Sequence, residues 1–216
     1  MVLAIYGAGG LGREVLELAI AVEKKSPRWE GIVFLDDRDL GAVRGRRVVS
    51  FGSFRREFPK DSVEIAIAVG EPFTRKKLRE MVKEAGYSMA VLVHPAAQVA
   101  ADCTLMEGAV VHYNVFVSSG AVVGENSYLQ PSCVVGHDVR IGRDCVISTF
   151  GVIAGSCLVG GQTYIGLSAA IKEQTRIGEG SIIGMGSVVM RDVEGNMVTM
   201  GNPAKAVRHN DDHKVF

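Results

Sequence analysis

No run of this 216-residue chain approaches the roughly 18 consecutive apolar residues that a membrane-spanning helix needs. The apolar start, MVLAIYGAGGLGREV, lacks a basic leading segment and is punctuated by glycines, so it reads as a strand and turn rather than a secretory signal. A cytoplasmic protein is the expectation. There is no basic block either. With 24 basic and 24 acidic residues the formal charge is zero, which argues against nucleic-acid or anionic-membrane partners. Aromatic residues are scarce, at 6%, while glycine is abundant, at 26 residues. That combination suits a chain that turns tightly and often, with slim side chains stacked inside.

Residues 1–92 alternate strand and helix patterns, which points to a small parallel α/β sheet. Apolar runs at 2–7, 31–37, 63–70 and 87–93 read as four strands. Residues 12–25, with Val15, Leu18, Ala19 and Val22 near helical spacing, and 74–85 read as helices. Gly7-Ala8-Gly9-Gly10-Leu11-Gly12 follows a strand and opens a helix, the context in which a GxGxxG loop faces a phosphate with its backbone amides. Asp36 and Asp37 close the second strand, where an acid can bond a ribose or a base. NAD fits the motif. However, a unit of about 90 residues offers no second half for a dinucleotide, so NAD is not the first reading.

From residue 93 the period changes. Val93, Val99, Leu105, Val111, Val117, Val123, Leu129, Val135, Ile141, Ile147, Ile153, Val159, Ile165, Ile171, Ile177, Ile183 and Val189 recur every six residues without a slip. Glycine often follows the aliphatic, and small residues recur four places after it. The pattern predicts a solenoid over 93–194 with one short strand per hexad and three hexads per triangular coil of 18 residues. Coils stack about 4.8 Å apart. The glycines are expected to serve the turns. Cys103, Cys133, Cys145 and Cys157 all occupy the small inward position, so they read as buried apolar groups, not disulfide or metal ligands.

Given GAGGLGRE (7–14), LDD (35–37), VGHD (135–138), the hexads and GNPAK (201–205), the chain resembles the left-handed β-helix acyltransferases. Over nearly its whole length it looks like their sugar acetyltransferase branch: bacterial enzymes that N-acetylate nucleotide-linked 4-amino sugars, and sialic acid O-acetyltransferase-like proteins. The resemblance implies acetyl-CoA as co-substrate, a nucleotide-linked amino sugar (UDP-linked being favoured) as acceptor, and a homotrimer with sites between subunits. It also implies a role in bacterial surface-glycan or glycoprotein sugar biosynthesis, and a tail, 195–216, that closes the CoA site.

His137 and Asp138 fall at the third and fourth places of their hexad, a corner where side chains point outward. An imidazole backed by a carboxylate is what a general base needs. The resemblance makes His137 the base that deprotonates the acceptor and Asp138 its orienting partner. Gly155 lies one coil further on the same corner, and the resemblance makes its backbone N–H the oxyanion donor. By the same resemblance the pantetheine arm lies along Ile165, Gly166, Ser168 and Gly184, and the adenine end near Gly201, Asn202, Pro203 and Lys205. The nucleotide-sugar then rests on Gly7, Gly9, Gly10, Leu11, Asp36, Asp37, Val69 and Gly70.

The family pattern is not matched throughout. Leu11 stands where the glycine loop usually has His, Gln130 where Asn is common seven residues before the base, Gly136 where an acid is sometimes found, and Val146 where a second His is common. These departures bear on acceptor identity, and Gln130, Tyr113 and Tyr128 are candidates for shaping the acceptor pocket from the His137 corner. A zinc site is not expected, since His112 is out of register with His137. Two readings stay open beside N-acetylation: O-acetylation of a sialic acid-type sugar, and a non-catalytic trimeric scaffold that senses a nucleotide.

Overall fold

The computed structural model describes residues 1–215. The front unit contains β1 (Val2–Tyr6), α1 (Gly10–Lys25), β2 (Gly31–Leu35), β3 (Ala42–Val43), β4 (Arg46–Val49), α2 (Phe51–Glu57), β5 (Val63–Ile67), α3 (Pro72–Glu84) and β6 (Ser88–Met89). They form a six-stranded sheet in the order β3-β4-β2-β1-β5-β6, all parallel except the β3–β4 hairpin. Leu3, Ala4 and Ile5 of β1 are fully buried, as the central strand of a sheet covered on both faces must be. The sequence reading had four strands. It missed β3, β4 and α2, because RGRRVV carries too many charges to read as a strand.

The fourth expected strand, 87–93, is two strands in different sheets. Ser88–Met89 closes the front sheet against β5. Leu92–Val93, β7, is the first rung of the next element and pairs with Val110–Val111.

From β7 to β23 (Val188–Val189) every strand is two residues long and ends on the predicted aliphatic. Each up to β20 (Ala170–Ile171) pairs in parallel with the strand 18 residues on, giving three sheets around a triangular left-handed β-helix. The first face carries Leu129 and Ile147 inward, the second Val135 and Ile153, the third Ile141 and Val159. These aliphatics, with Cys133, Cys145 and Cys157, form one continuous buried column. All four cysteines are free thiols.

The turns do not work as the sequence suggested. The positive-φ place is the fourth of the hexad, not the glycine-rich second. Asn114, Asn126, Ser132, Asp138, Asp144, Phe150, Ser156, Gln162, Ser168 and Gln174 occupy it with φ near 60°, and Gly108, Gly120, Gly180 and Gly186 complete the ladder. Asn, Asp and Ser tolerate this left-handed conformation because their short polar chains bond locally. The second-place glycines answer a different need, close approach between coils. A Cβ on Gly136 would lie 2.7 Å from the Gly155 nitrogen, and one on Gly166 would lie 2.7 Å from the Ile183 carbonyl oxygen.

The front unit docks on the first face. Leu92, Val110, Tyr128 and Val146 point outward there, yet are buried against Val15, Leu16 and Leu18 of α1 and Leu3 and Ile5 of β1. Beyond the last coil, β24 (Met197–Gly201) and β25 (Ala204–His209) extend the first face as a hairpin. The chain then crosses to α3, where His213 stacks on Phe73 and the Val215 N–H donates to Glu71 Oε2 at 2.9 Å. Among the described residues no helix is long and apolar enough to cross a membrane.

Candidate active site

The edge between the second and third faces carries His137 and Asp138, with His137 Nδ1 2.9 Å from Asp138 Oδ2. A carboxylate only accepts, so Nδ1 is the donor and Nε2 is left with a free lone pair facing outward. Both side chains are about two-thirds exposed. Glycines one coil away on either side fix the pair. A Cβ on Gly155 would collide with the His137 ring, and one on Gly120 would sit 2.6 Å from Asp138 Oδ1. The left-handed Asp138, φ 58°, turns its carboxylate back toward its neighbour. The Gly155 carbonyl accepts from the Gln174 N–H, while among the described residues its own N–H donates to no backbone acceptor. Thus an imidazole, the carboxylate bonded to it and the Gly155 amide share one edge.

The expected donor-binding residues lie on a different edge, between the first and second faces. Gly166, Ser168 and Gly184 follow each other along it. Ile165 itself points into the core and is fully buried, leaving only its backbone for a ligand. The edge leads to the tip of the β24–β25 hairpin, where Gly201 N–H donates to Ser187 Oγ at 3.1 Å and Asn202 and Pro203 form the turn, joined by a cis bond. Lys205 is exposed beside it. Phe150, Leu167 and Met185 stand out into solvent along this edge at 59%, 43% and 75% exposure, far more than apolar side chains of a closed surface show.

In the front unit, the glycine loop is built for close packing. Gly7, φ 112°, would meet the Ala68 carbonyl oxygen at 2.7 Å through any Cβ, and a Cβ on Gly12 would collide with the Gly7 carbonyl. The N-terminus of α1, at Gly9, Gly10 and Leu11, has no side-chain cap and no acidic residue in its first turn. Its free N–H groups and positive helix end favour an anion. Asp36 is already engaged: its carboxylate accepts from Ala8 N–H at 3.0 Å and from Arg38 Nε and Nη2 at 2.8 and 2.7 Å. Arg38 holds the Asp36 carboxyl well below the usual carboxylate range. Asp37 accepts from Phe51 N–H at 3.3 Å. Val69 and Gly70 follow β5 beside the loop, and the Val69 carbonyl is taken by Arg75.

Gln130, Tyr113 and Tyr128 do not share the His137 corner. Gln130 and Tyr113 sit on the first–second edge, and Tyr128 points outward from the first face, fully buried beneath the front unit. Gln130 Oε1 accepts from Thr149 N–H at 3.1 Å. Both residues line a cavity of about 440 Å³ between α1 and the first coils, together with Glu14, Glu17, His94 and His112. Sequence reasoning weighed His112 only as a metal ligand. The available signal was its place in the register, one coil from His94 and from Gln130. Among the described residues no group of three or more His, Cys, Asp or Glu could hold a metal ion.

Residues 2–82 match the PglD N-terminal domain, and residues 120–155 match the bacterial transferase hexapeptide (six repeats). No curated protein sequence matches the chain. Among solved structures, the acetyltransferase domain of PglB from Neisseria gonorrhoeae FA1090, in complex with acetyl coenzyme A, is 32% identical, with 95% of this chain and 98% of that one covered and a TM-score of 0.90. Perosamine N-acetyltransferase from Caulobacter crescentus, in complex with CoA and GDP-perosamine, is 27% identical over 96% and 97% of the two chains, with a TM-score of 0.89. WeeI from Acinetobacter baumannii AYE is 26% identical over 96% and 100%, with a TM-score of 0.88.

Proposed function

The chain belongs to the hexapeptide-repeat, left-handed β-helix family of sugar N-acetyltransferases, and we propose that it moves the acetyl group of acetyl-CoA to the 4-amino group of a UDP-linked sugar, with His137 as general base. As a member it is an acetyl-CoA-dependent acyltransferase acting on the amino group of a nucleotide-linked sugar. The observation that carries the finer reading is the His137–Asp138 pair at 2.9 Å, exposed, with the imidazole lying over the Cα of Gly155.

In this reading Asp138 accepts from Nδ1–H and leaves Nε2 to take a proton from the attacking amine. The amine nitrogen bonds to the thioester carbonyl carbon, and the carbonyl oxygen takes the displaced electron pair and accepts from the Gly155 N–H. Collapse breaks the carbon–sulfur bond, and the leaving thiolate recovers the proton from the imidazolium. The Caulobacter enzyme, solved as asparagine and alanine variants of one histidine with CoA and GDP-perosamine bound, fits a mechanism centred on histidine.

The free N-terminus of α1 supports a diphosphate in the front unit. UDP is the proposed nucleotide, and GDP, seen in the Caulobacter complex, is its direct competitor. A trimer is part of the proposal. Within one chain the base lies on the second–third edge and the expected CoA residues on the first–second edge, with the second face between them. That face presents Phe116 and Val152 to solvent, 43% and 39% exposed. A neighbouring copy that covers it brings its own first–second edge to His137, and three copies close the ring. A cytoplasmic site of action goes with these substrates.

A thiol-release assay with acetyl-CoA and UDP-linked 4-amino sugars, GDP-perosamine and sialic acid tests the reading. Turnover of a UDP-linked amino sugar is expected to fall roughly 10²–10⁴-fold in His137→Ala, with an unchanged melting temperature. Turnover of sialic acid alone would move the chain to O-acetylation. An unaffected variant would remove His137 from the mechanism.

A further inference from the structure

We propose that Asp102 is a positioning residue for the reaction: through Ser119 and Gly120 it fixes the turn on which Asp138, and with it the His137 imidazole, is set. This rests on the reading of His137 as general base and extends it back along the same edge.

The starting observation is a break in a regular ladder. Along the second–third edge the fourth-place N–H donates to the third-place carbonyl one coil back: Asp138 to Ser119 at 3.0 Å, Ser156 to His137 at 2.8 Å and Gln174 to Gly155 at 2.9 Å. At Gly120 a side chain takes that role. Its N–H donates to Asp102 Oδ2 at 3.2 Å, and the same oxygen accepts from the Ser119 hydroxyl at 2.5 Å. A carboxylate only accepts, so both protons point at Asp102. The Ser119 hydrogen bond, helped by that from Gly120, lowers the Asp102 carboxyl below its usual range, so it is an anion at neutral pH.

The two residues that Asp102 holds are the two against which Asp138 rests. Ser119 gives its backbone carbonyl to the Asp138 N–H. Gly120 lies so close to the Asp138 carboxylate that a Cβ there would be 2.6 Å from Oδ1. The other carboxylate oxygen, Oδ2, takes the His137 Nδ1–H at 2.9 Å. Gly120 and Asp138 are both left-handed, with φ of 69° and 58°, so the edge turns in step at the two levels. Asp102, Ser119, His137 and Asp138 are all exposed. Packing therefore does little to hold these side chains, and hydrogen bonds set their geometry. A pinned turn narrows the orientations open to Asp138. With Oδ2 in place the ring proton stays on Nδ1, and Nε2 keeps the lone pair that the reaction needs.

The test reads the imidazole directly. In protein carrying isotopically labelled histidine, nitrogen NMR at mildly alkaline pH, above the ordinary titration of histidine, reports which ring nitrogen holds the proton. The His137 signals are those lost in His137→Ala. Asp102→Ala is expected to lower the share of the Nδ1–H tautomer. It is also expected to cut kcat roughly five- to twentyfold, with the KM values for acetyl-CoA and the amino sugar changed less than about twofold. Asp102→Asn, whose amide oxygen accepts from Ser119 and Gly120 in the same place, is expected to restore both readouts. Ser119→Ala, which keeps the Gly120 bond, is expected to lose less than Asp102→Ala. Melting temperatures of the two Asp102 variants are expected to match the wild type, since the side chain is exposed. A His137 tautomer that is the same in Asp102→Ala as in the wild type overturns the proposal, whatever turnover does. Equal losses in Asp102→Asn and Asp102→Ala would overturn positioning in favour of charge. A wild type that acetylates no amino sugar, but whose His137 tautomer still follows Asp102, removes the proposed reaction and leaves the positioning in place.

Discussion

Two edges of the β-helix flank the face on which the front unit docks, and they treat buried polar groups in opposite ways. Where α3 packs on the third–first edge, Arg75, Arg79, Asn126 and Asp144 answer one another. Fully buried Arg75 donates to the Ile67, Val69 and Asn126 carbonyls and to Asn126 Oδ1. Arg79 forks onto Asp144 at 2.9 and 3.0 Å, and Asn126 Nδ2 bonds Asp144 Oδ1 at 2.7 Å. On the first–second edge, His112 Nδ1 and Ser148 Oγ are buried without partners among the described residues. A saturated network fixes geometry, because each member's removal strands another. An unsaturated one lacks that mutual constraint. The same docking surface is thus locked on one side and less constrained on the other.

The contrast can be broken most forcefully at Asp144. It is fully buried, and Asp144→Ala strips the Arg79 guanidinium of its hydrogen-bonded partner, leaving only Glu80 and Glu125 at 3.7 Å, so a loss of about 3–5 kcal/mol is expected from urea unfolding. A loss below 1 kcal/mol would mean that the lock is solvated. Next comes acid titration of the less constrained side. His112 is held near 4 when folded and titrates near 6.5 when unfolded. The unfolded chain therefore binds the extra proton first. Stability attributable to this residue is intact above about pH 6.5, falls between 6.5 and 4, and is flat below. The wild type is expected to lose about 3 kcal/mol more over that window than His112→Gln, read from unfolding midpoints at each pH. Parallel curves would mean that the ring is not buried in solution. The smallest effect belongs to Ser148→Ala. Removing an unanswered hydroxyl is expected to change stability by less than about 1 kcal/mol, toward stabilisation. A clear loss would show that Ser148 has a partner and that this edge is closed too.

Much of this was legible in the chain. The inward aliphatics, the small residues four places on and the His137–Asp138 corner follow from a six-residue period, because a solenoid repeats its environment every coil. The glycine loop was legible for a similar local reason: strand, turn and helix follow one another within a dozen residues. Other features were hidden. RGRRVV looked too charged for a strand, and residues 87–93 looked like one strand although two sheets share them. The second-place glycines were read as turn residues, when it is the coil above that demands them. Gln130 and Tyr113 were assigned to the wrong edge, since distance along the chain is a poor guide where six residues turn a corner.

The sequence by itself determined the coil, its register, the exposed His137–Asp138 pair and the anion-favouring loop, because each depends on neighbours within one repeat or one turn. Only the tertiary structure decided which face the front unit covers, that Arg75 and Arg79 close one side of that contact, and that His112 is left buried, neutral and unanswered on the other. Those depend on pairings 51 and 65 residues apart along the chain for the two arginines. No local pattern encodes which buried donor will find an acceptor; that is settled when two separately patterned surfaces meet and exclude water.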